Sequence, residues 1–310
     1  MRIGIVGAEN EAHCLRMKQV LEAHNAEVLI IDTLAFPDKA TLSLSNRRVT
    51  YQGRPIDDIA TFYIRSVFYS FPPYDLEETR KTENLDLDGW YEEYTAERER
   101  QSLLTSWLRF ESLRGKRLIN PVESFDLHYL KPYQLALLNK NGIPVPRTLV
   151  TNDVQQLLEF RDEVHTLVYK PVAGGARCQL MEKEDWDKER LALLQSAPVL
   201  FQEYIPGDNI RVYCIGEKVV SSAIIHTNEV DYREHEGSLE KIQLSNEIEQ
   251  MCVRAMQVCG MRFTGLDLKR KPDGTYVVIE CNPSAMFIGF EQATGDPISE
   301  LFAKFLIAGG

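Results

Sequence analysis

Apolar and polar positions along the chain divide into short continuous apolar runs and longer runs with helical spacing. Arg2 to Val6 is an apolar run that predicts a strand. It is followed by GAENEAHCLRMKQVLEAH, which predicts a helix with Leu15, Val20 and Leu21 inward, and by AEVLIID, a second strand ending at Asp32. This is a βαβ opening and predicts an open α/β sheet. IATFYIRS (59–66) predicts another strand, with Arg65 leaving its carboxyl end. The acidic, proline-containing stretch from Phe71 to Trp90 predicts a long loop or flap. The next run, YEEYTAERERQSLLTSWLRFESL, predicts a helix with Leu103, Leu104, Trp107, Leu108 and Leu113 as its apolar stripe.

A strand in GKRLINP closes this first unit at Asn120-Pro121. KPYQLALLNKNG then predicts a short helix, with Pro132 at its first position and Gly142 beyond its end. TNDVQQLLEF is a second helix capped by Thr151, Asn152 or Asp153, and TLVYKP is a strand that runs into the small-residue loop VAGGARCQLM. FQEYIPG reads as the strand that begins a third unit. Strands IRVYCIG and KVVSSAIIH follow. The helix NEIEQMCVRAMQVCG puts Ile248, Met251, Cys252, Ala255, Met256 and Cys259 on one face, and the hairpin FTGLDLKR-KPDG-TYVVIE comes next. The resulting division is 1–121, 122–200 and 201–310.

Composition narrows the classes of function. A formal charge of −11 argues against a nucleic-acid binder that works through bulk electrostatics. No apolar run reaches the length of a bilayer span, and the opening MRIGIVGAE shows no leader, so no membrane role and a cytoplasmic location are expected. The six cysteines form no CxxC pair, which fits reduced core thiols. GIVGAEN lacks the third glycine of a dinucleotide fingerprint.

The candidate chemistry lies in the last hairpin. A buried strand, TYVVIECNP, carries a carboxylate and an amide at Glu280 and Asn282. With KPDG as a four-residue loop, Arg270 faces Thr275 and Asp267 faces Val278. Asp267, Val278, Glu280 and Asn282 then share one face, with Asp267 and Glu280 as diagonal neighbours. Two carboxylates and an amide oxygen on one face suit a hard cation such as Mg²⁺, completed by nucleotide phosphates and water. Lys131 at a helix start and Lys170 at a strand end beside AGGA (Gly174 and Gly175) supply matching positive charge and close backbone approach for phosphates.

The series Lys131, Lys170 with its AGGA loop, FQEYIPG, Arg211 in NIRVY, Asp267 and IECNP resembles the ATP-grasp carboxylate–amine ligases from about Val122 to the end. The preceding βαβ unit resembles their usual N-terminal domain. The implied fold class is α/β: a pre-ATP-grasp open α/β domain (1–121), then a two-lobed, α+β ATP-grasp domain with a central lobe (122–200) and a C-terminal lobe (201–310) carrying the Mg-binding hairpin. LNKNGIPVPRTLVTND, VDYRE and NPSAMFIGFEQATGDPIS are most similar to the branch of ribosomal-protein glutamate ligases and graspetide (microviridin-type) macrocyclases. SAMF after Asn282-Pro283 departs from the glycine-containing form expected in that branch.

The resemblance implies ATP as cofactor, with two Mg²⁺ ions for which Mn²⁺ substitutes. Lys131, Lys170, Gly174 and Gly175 would lie at the phosphates. Gln202, Glu203, Tyr204 and Ile205 would read the adenine edge, and Asp208 or Asn209 the ribose. Asp267 would bind one ion, Glu280 would bridge both, and Asn282 would bind the second. Arg211 would steady the transferring phosphoryl group, and Arg233, with Arg177 as a second candidate, would orient the substrate carboxylate or acyl phosphate. His235 is a candidate base.

The implied reaction is carboxylate activation as an acyl phosphate, followed by amide or ester formation on a peptide or protein. An amino-acid (glutamate-type) ligase acting on a free amine is the nearest alternative; a phosphotransferase and a nucleotide-binding regulatory protein are the others. The expected partner is a peptide, protein or amino-acid substrate and not a nucleic acid. Homo-oligomers are common in this architecture.

Overall fold

The computed structural model describes residues 1–67, 87–173, 177–227 and 238–309. They form two units, Met1–Val122 with Leu306–Gly310, and Glu123–Phe305.

In the first unit the apolar runs become parallel strands in the order β2-β1-β6-β7: β1 (Arg2–Gly7), β2 (Glu27–Asp32), β6 (Thr61–Ile64) and β7 (Arg117–Ile119). Ile3, Ile5 and Val6 are fully buried, as expected for a parallel sheet covered on both faces. Helix α1 (Ala12–Ala23) turns Cys14, Met17, Val20 and Leu21 inward. Leu15, expected inward, is 49% exposed, because the buried stripe runs through positions 14, 17, 20 and 21 and leaves 15 beside it. Residues 33–58, for which the pattern predicts no strand, contribute a small antiparallel sheet of β3 (Leu42–Leu44), β4 (Val49–Tyr51) and β5 (Arg54–Pro55).

Helix α2 (Leu87–Leu113) begins inside the stretch expected as a flap; residues 71–86 of that stretch lie outside the described residues. Leu104, Trp107 and Leu108 are buried, but Leu113 is 86% exposed. The buried position near this end is Glu111, which accepts a 3.2 Å bond from the Trp107 indole N–H. No helix among the described residues is long and apolar enough to cross a membrane.

Glu11 caps α1 by accepting the Cys14 N–H at 2.8 Å. Its other oxygen meets His13 Nδ1 at 2.8 Å and the Arg65 guanidinium at 3.0 Å. Burial alone would raise its pKa. The His13 bond, the Arg65 charge and the Cys14 N–H outweigh burial and bring it down to about 2 from 4.5. A depressed carboxyl stabilises the fold above its unfolded pKa, and that contribution is lost as pH falls from 4.5 toward about 2. Glu11→Gln is therefore expected to cost about 2 kcal/mol at pH 7 after allowing for solvent screening. It should also flatten the acid limb of stability in that window, as read by denaturant melts across pH.

The described residues of the second unit form two antiparallel sheets. One has the order β10-β9-β11-β8, from β8 (Thr148–Thr151), β9 (Leu167–Pro171), β10 (Gln179–Leu180) and β11 (Val199–Glu203). One face is covered by Leu157 and Phe160 of α5 (Val154–Val164), with Asp153 as its cap, and by Leu191 of the short helix α6 (Lys188–Ala192). The sequence places residues 201–203 at the start of the C-terminal lobe. They pair with β8 and β9 instead, so that strand completes the central-lobe sheet. Strand pairing is non-local, and the apolar run alone does not choose between the two sheets.

The other sheet has the order β14-β13-β12-β15-β16: β12 (Asp208–Ile215), β13 (Lys218–Ile225), β14 (Leu239–Lys241), β15 (Phe263–Arg270) and β16 (Tyr276–Asn282). Helix α7 (Asn246–Val258), capped by Ser245, covers one face with Cys252, Ala255 and Met256. Leu127 of α3 (Val122–Tyr129) and Leu138 of α4 (Lys131–Lys140) join the same core. Each fully buried leucine or methionine there contributes roughly 1.5–3 kcal/mol. The six cysteines form no disulfide, and all but Cys178 are buried. The opposite face of this sheet carries the polar residues. Two more helices, α8 (Ile288–Thr294) and α9 (Ile298–Ile307), end the chain.

Candidate active site

The hairpin of β15 and β16 differs from the four-residue-loop register. Its turn holds Lys271 to Thr275, closed by the Lys271 N–H donating to the Thr275 carbonyl at 2.8 Å, with Gly274 at φ +85°. Arg270 pairs with Tyr276, Lys269 with Val277 and Leu268 with Val278. The register then slips, so that Asp267 pairs with Glu280, Leu266 with Cys281 and Gly265 with Asn282. Ile279 is the extra residue of a β-bulge. The bulge has a direct consequence, since strict alternation would put Val278 and Glu280 on one face. Instead Val278 sits in the core under α7, and Glu280 emerges beside Asp267 on the other face. Val278 is thus removed from the polar face on which the sequence places it.

Asp267 is held from both sides. Arg211 lies directly opposite on β12 and brings its Nε to 2.8 Å from Oδ1. The Asn282 side-chain N–H₂ donates to Asp267 Oδ2 at 3.2 Å and to the Gly265 carbonyl at 3.3 Å, which turns its amide oxygen the other way. Glu280 meets Lys131 Nζ at 2.5 Å and His128 Nδ1 at 3.9 Å. Burial pushes its carboxyl up, but the Lys131 charge and hydrogen bond, then Lys170 and His128, outweigh this and hold it below the usual range.

Two contributors were not legible as functional in the sequence. His128 shows no ligand spacing there, yet it faces Glu280. Gln134, one turn after Lys131, is 1% exposed; its amide donates to the Cys281 carbonyl at 2.9 Å and accepts the Cys281 N–H at 2.9 Å. Strand β16 is a sheet edge, so its outward backbone groups need partners. Gln134 supplies those of Cys281, as the Pro144 carbonyl does for the Val278 N–H, and fixes Lys131 of the same helix next to Glu280. The i, i+3 spacing of Lys131 and Gln134 is the signal that could have revealed it.

Lys170 pairs with Leu200 across β9 and β11, and Val168 with Gln202. Alternation puts Lys170 and Gln202 on the face opposite the Phe201 core. Gln202 is buried and donates to Thr148 Oγ1 at 3.0 Å. The Glu203 side chain accepts the Arg147 N–H at 2.9 Å, the Tyr204 N–H donates to the Thr166 carbonyl, and Ile205 is buried. Asp208 and Asn209 separate: Asn209 shares the face of Arg211 and Asp267, whereas Asp208 turns to the other side and pairs with Arg270 at 2.6 Å. Arg177 is exposed. Gly174, Gly175, Arg233 and His235 lie outside the described residues.

Among the described residues no group of three or more His, Cys, Asp or Glu side chains is arranged to hold a metal. Asp267, Glu280 and Asn282 instead present two carboxylates and an amide, a partial hard-oxygen shell. That donor set fits Mg²⁺, which keeps waters and takes phosphate oxygens for the remaining positions.

Comparison with known proteins identifies the family. The family model described as the RimK-like ATP-grasp domain matches residues 131–306. The probable alpha-L-glutamate ligase of Vibrio vulnificus (strain YJ016) is 25% identical over 321 residues, covering 99% of this chain and 95% of that protein. The beta-citrylglutamate synthase B of Danio rerio is 28% identical over 214 residues, covering 65% of this chain and 53% of that protein, about half its length. Among solved structures, the ATP-grasp ligase PsnB, complexed with a phosphomimetic variant of its minimal precursor, Mg and ADP, superposes with a TM-score of 0.88. It is 37% identical, covering 99% of this chain and 97% of that one. With a family model matched over more than half its length and this full-length likeness, the chain belongs to the RimK-like ATP-grasp family of ligases.

Proposed function

We propose that this ligase uses ATP to activate a carboxylate of a peptide or protein as an acyl phosphate, which an amine or hydroxyl of the substrate then captures as an amide or ester. The observation that carries the reading is the direct opposition of Asp267 and Glu280, each with its own cation, Arg211 and Lys131. A peptide substrate is favoured because likeness to PsnB, a ligase solved with its precursor, is higher (37%) than to the glutamate ligase of Vibrio vulnificus (25%). The second relative supports the alternative reading, an amino-acid ligase acting on a free amine.

A carboxylate is a poor electrophile. Its oxygen attacks the γ-phosphorus of ATP, the bond to the β-phosphate oxygen breaks, and ADP leaves. The amine or hydroxyl then attacks the acyl carbon, loses its proton, and expels phosphate. Lys131 and Lys170 would bind the phosphates, together with the loop that includes Gly174 and Gly175. Arg211, a planar donor fork already fixed through Nε, would present its remaining N–H groups to the transferring phosphoryl group. Asp267, Glu280 and Asn282 would hold Mg²⁺, as one ion or two, with Mn²⁺ able to replace it. When bound, the metal spreads the negative charge of the transferring group. Arg233 is the proposed ligand of the substrate carboxylate or acyl phosphate. The 202–205 segment would read the adenine edge.

Asn209 is the better ribose contact because it alone of its pair shares the site face. Asn209→Ala should weaken ADP binding about fivefold by removing a hydrogen bond. Asp208→Asn, which disturbs only the Arg270 pair, should leave the affinity within about twofold. Titration calorimetry with both variants checks this.

The function itself is tested by incubating the protein with ATP, Mg²⁺ and a pool of acidic peptides and amino acids, following ADP and product mass together. ADP formed with a peptide that loses one water per turnover supports the proposal. Addition of an amino-acid residue supports the alternative. A stable phosphate adduct overturns both.

A further inference from the structure

Gly265 sits at the centre of the site face, paired with Tyr213 on one side and Asn282 on the other. It does not have a positive φ, so its backbone imposes no need for glycine. The need is for space. A Cβ at this position would lie 2.8 Å from the Arg211 Nη1, 2.8 Å from the Ala285 Cβ and 3.4 Å from the Tyr213 ring. All three distances fall at or below ordinary van der Waals contact, and glycine in a strand interior often marks such a close approach.

We propose that Gly265 is a positioning residue that forms the floor under the Arg211 guanidinium. Asp267 holds the guanidinium from one side at 2.8 Å, and the absence of a side chain at 265 lets it lie against the sheet. A methyl group would lift Nη1 and break the alignment of the fork with Asp267. A displacement of about 1 Å of a group that acts by position is enough to lose most of its effect. Ala285 is 2% exposed and closes the same space beside Gly265. This inference rests on the reading of Arg211 as the group that steadies the transferring phosphoryl.

The test compares binding of Mg²⁺–AMPPNP and Mg²⁺–ADP by calorimetry on the full chain, which needs no peptide substrate. Arg211→Ala is expected to weaken AMPPNP about tenfold, the value of a charge-assisted hydrogen bond, and ADP by less than about twofold. Gly265→Ala should reproduce that pattern, and adding Arg211→Ala to it should cause no further loss. Gly265→Ala with Ala285→Gly removes the methyl–methyl overlap, so it folds even where the single variant does not. It should retain the AMPPNP loss because the contact with Arg211 remains. Parent-like AMPPNP binding in Gly265→Ala, losses that multiply with Arg211→Ala, or recovery on Ala285→Gly would each overturn the floor while leaving the role of Arg211 intact. An Arg211→Ala variant that binds AMPPNP as tightly as the parent would overturn both.

Discussion

Glu280→Gln is expected to lower ADP formation by about 10³-fold, the several kcal/mol that a metal-assisted charge stabilisation supplies, while the protein remains folded. The substitution keeps shape and removes one charge. In the parent, Glu280 is drawn below its usual pKa by Lys131, Lys170 and His128. Without the carboxylate, Lys131 loses its ion-pair partner at the site. Two results follow. Metal-free ADP should bind more tightly than to the parent, because Lys131 no longer needs to leave a 2.5 Å ion pair to meet a phosphate. The gain in ADP affinity on adding Mg²⁺ should shrink, because one of the oxygen donors is gone. Calorimetry of ADP binding with and without a chelator reads both. A variant whose Mg²⁺ dependence equals that of the parent would remove Glu280 from the metal set.

Lys131→Met is expected to produce the second-largest effect, and it acts on stability and turnover together. Both members of the pair are mostly buried, with 10% and 16% of their side chains exposed. Removing one partner of such a pair costs about 3 kcal/mol, because the remaining charge is left without its compensation. The pH dependence should change sign. In the parent, the depressed Glu280 carboxyl stabilises the fold above its unfolded value of 4.5, and this is lost as pH falls through the folded value. In the variant the strongest opposing charge is gone and burial dominates, so the carboxyl moves up. Stability should then fall as pH rises through that higher folded value. Urea melts at several pH values check the sign. Adding Glu280→Gln should restore much of the lost stability, since the stranded carboxylate is then neutral. Turnover should drop by more than about 10²-fold in the single variant, as expected for loss of an electrostatic donor at a transferring phosphoryl group.

Local order was the most legible part of this chain. The 3.6-residue period of α7 placed Cys252, Ala255, Met256 and Cys259 on the buried face, where they lie. The βαβ start and the parallel first sheet followed from continuous apolar runs. Asp267, Glu280 and Asn282 were legible as a group because polar residues at the end of an apolar strand need a reason to be there. Their register was not legible. A bulge at Ile279 is decided by the demand that Val278 enter the core while Glu280 leaves it, and no local residue signals that choice. Strand β11 was misplaced for a related reason, since its partners β8 and β9 are fixed by packing far along the chain. Gln134 was invisible as a functional residue because its work, holding an edge strand by the backbone of Cys281, exists only once the edge exists. At helix ends the error was one of phase: Leu15 and Leu113 are apolar but face solvent, and Glu111 is charged but buried.

In the proposed reaction a substrate carboxylate oxygen becomes a phosphate oxygen. The most direct measurement uses a peptide substrate from the pool assay with its carboxylates labelled with oxygen-18, and follows the label in the phosphate released with ADP. One labelled oxygen in phosphate is expected for each bond formed, with loss of both signals in Glu280→Gln. Unlabelled phosphate accompanying product would contradict it, because the carboxylate would then never have been phosphorylated.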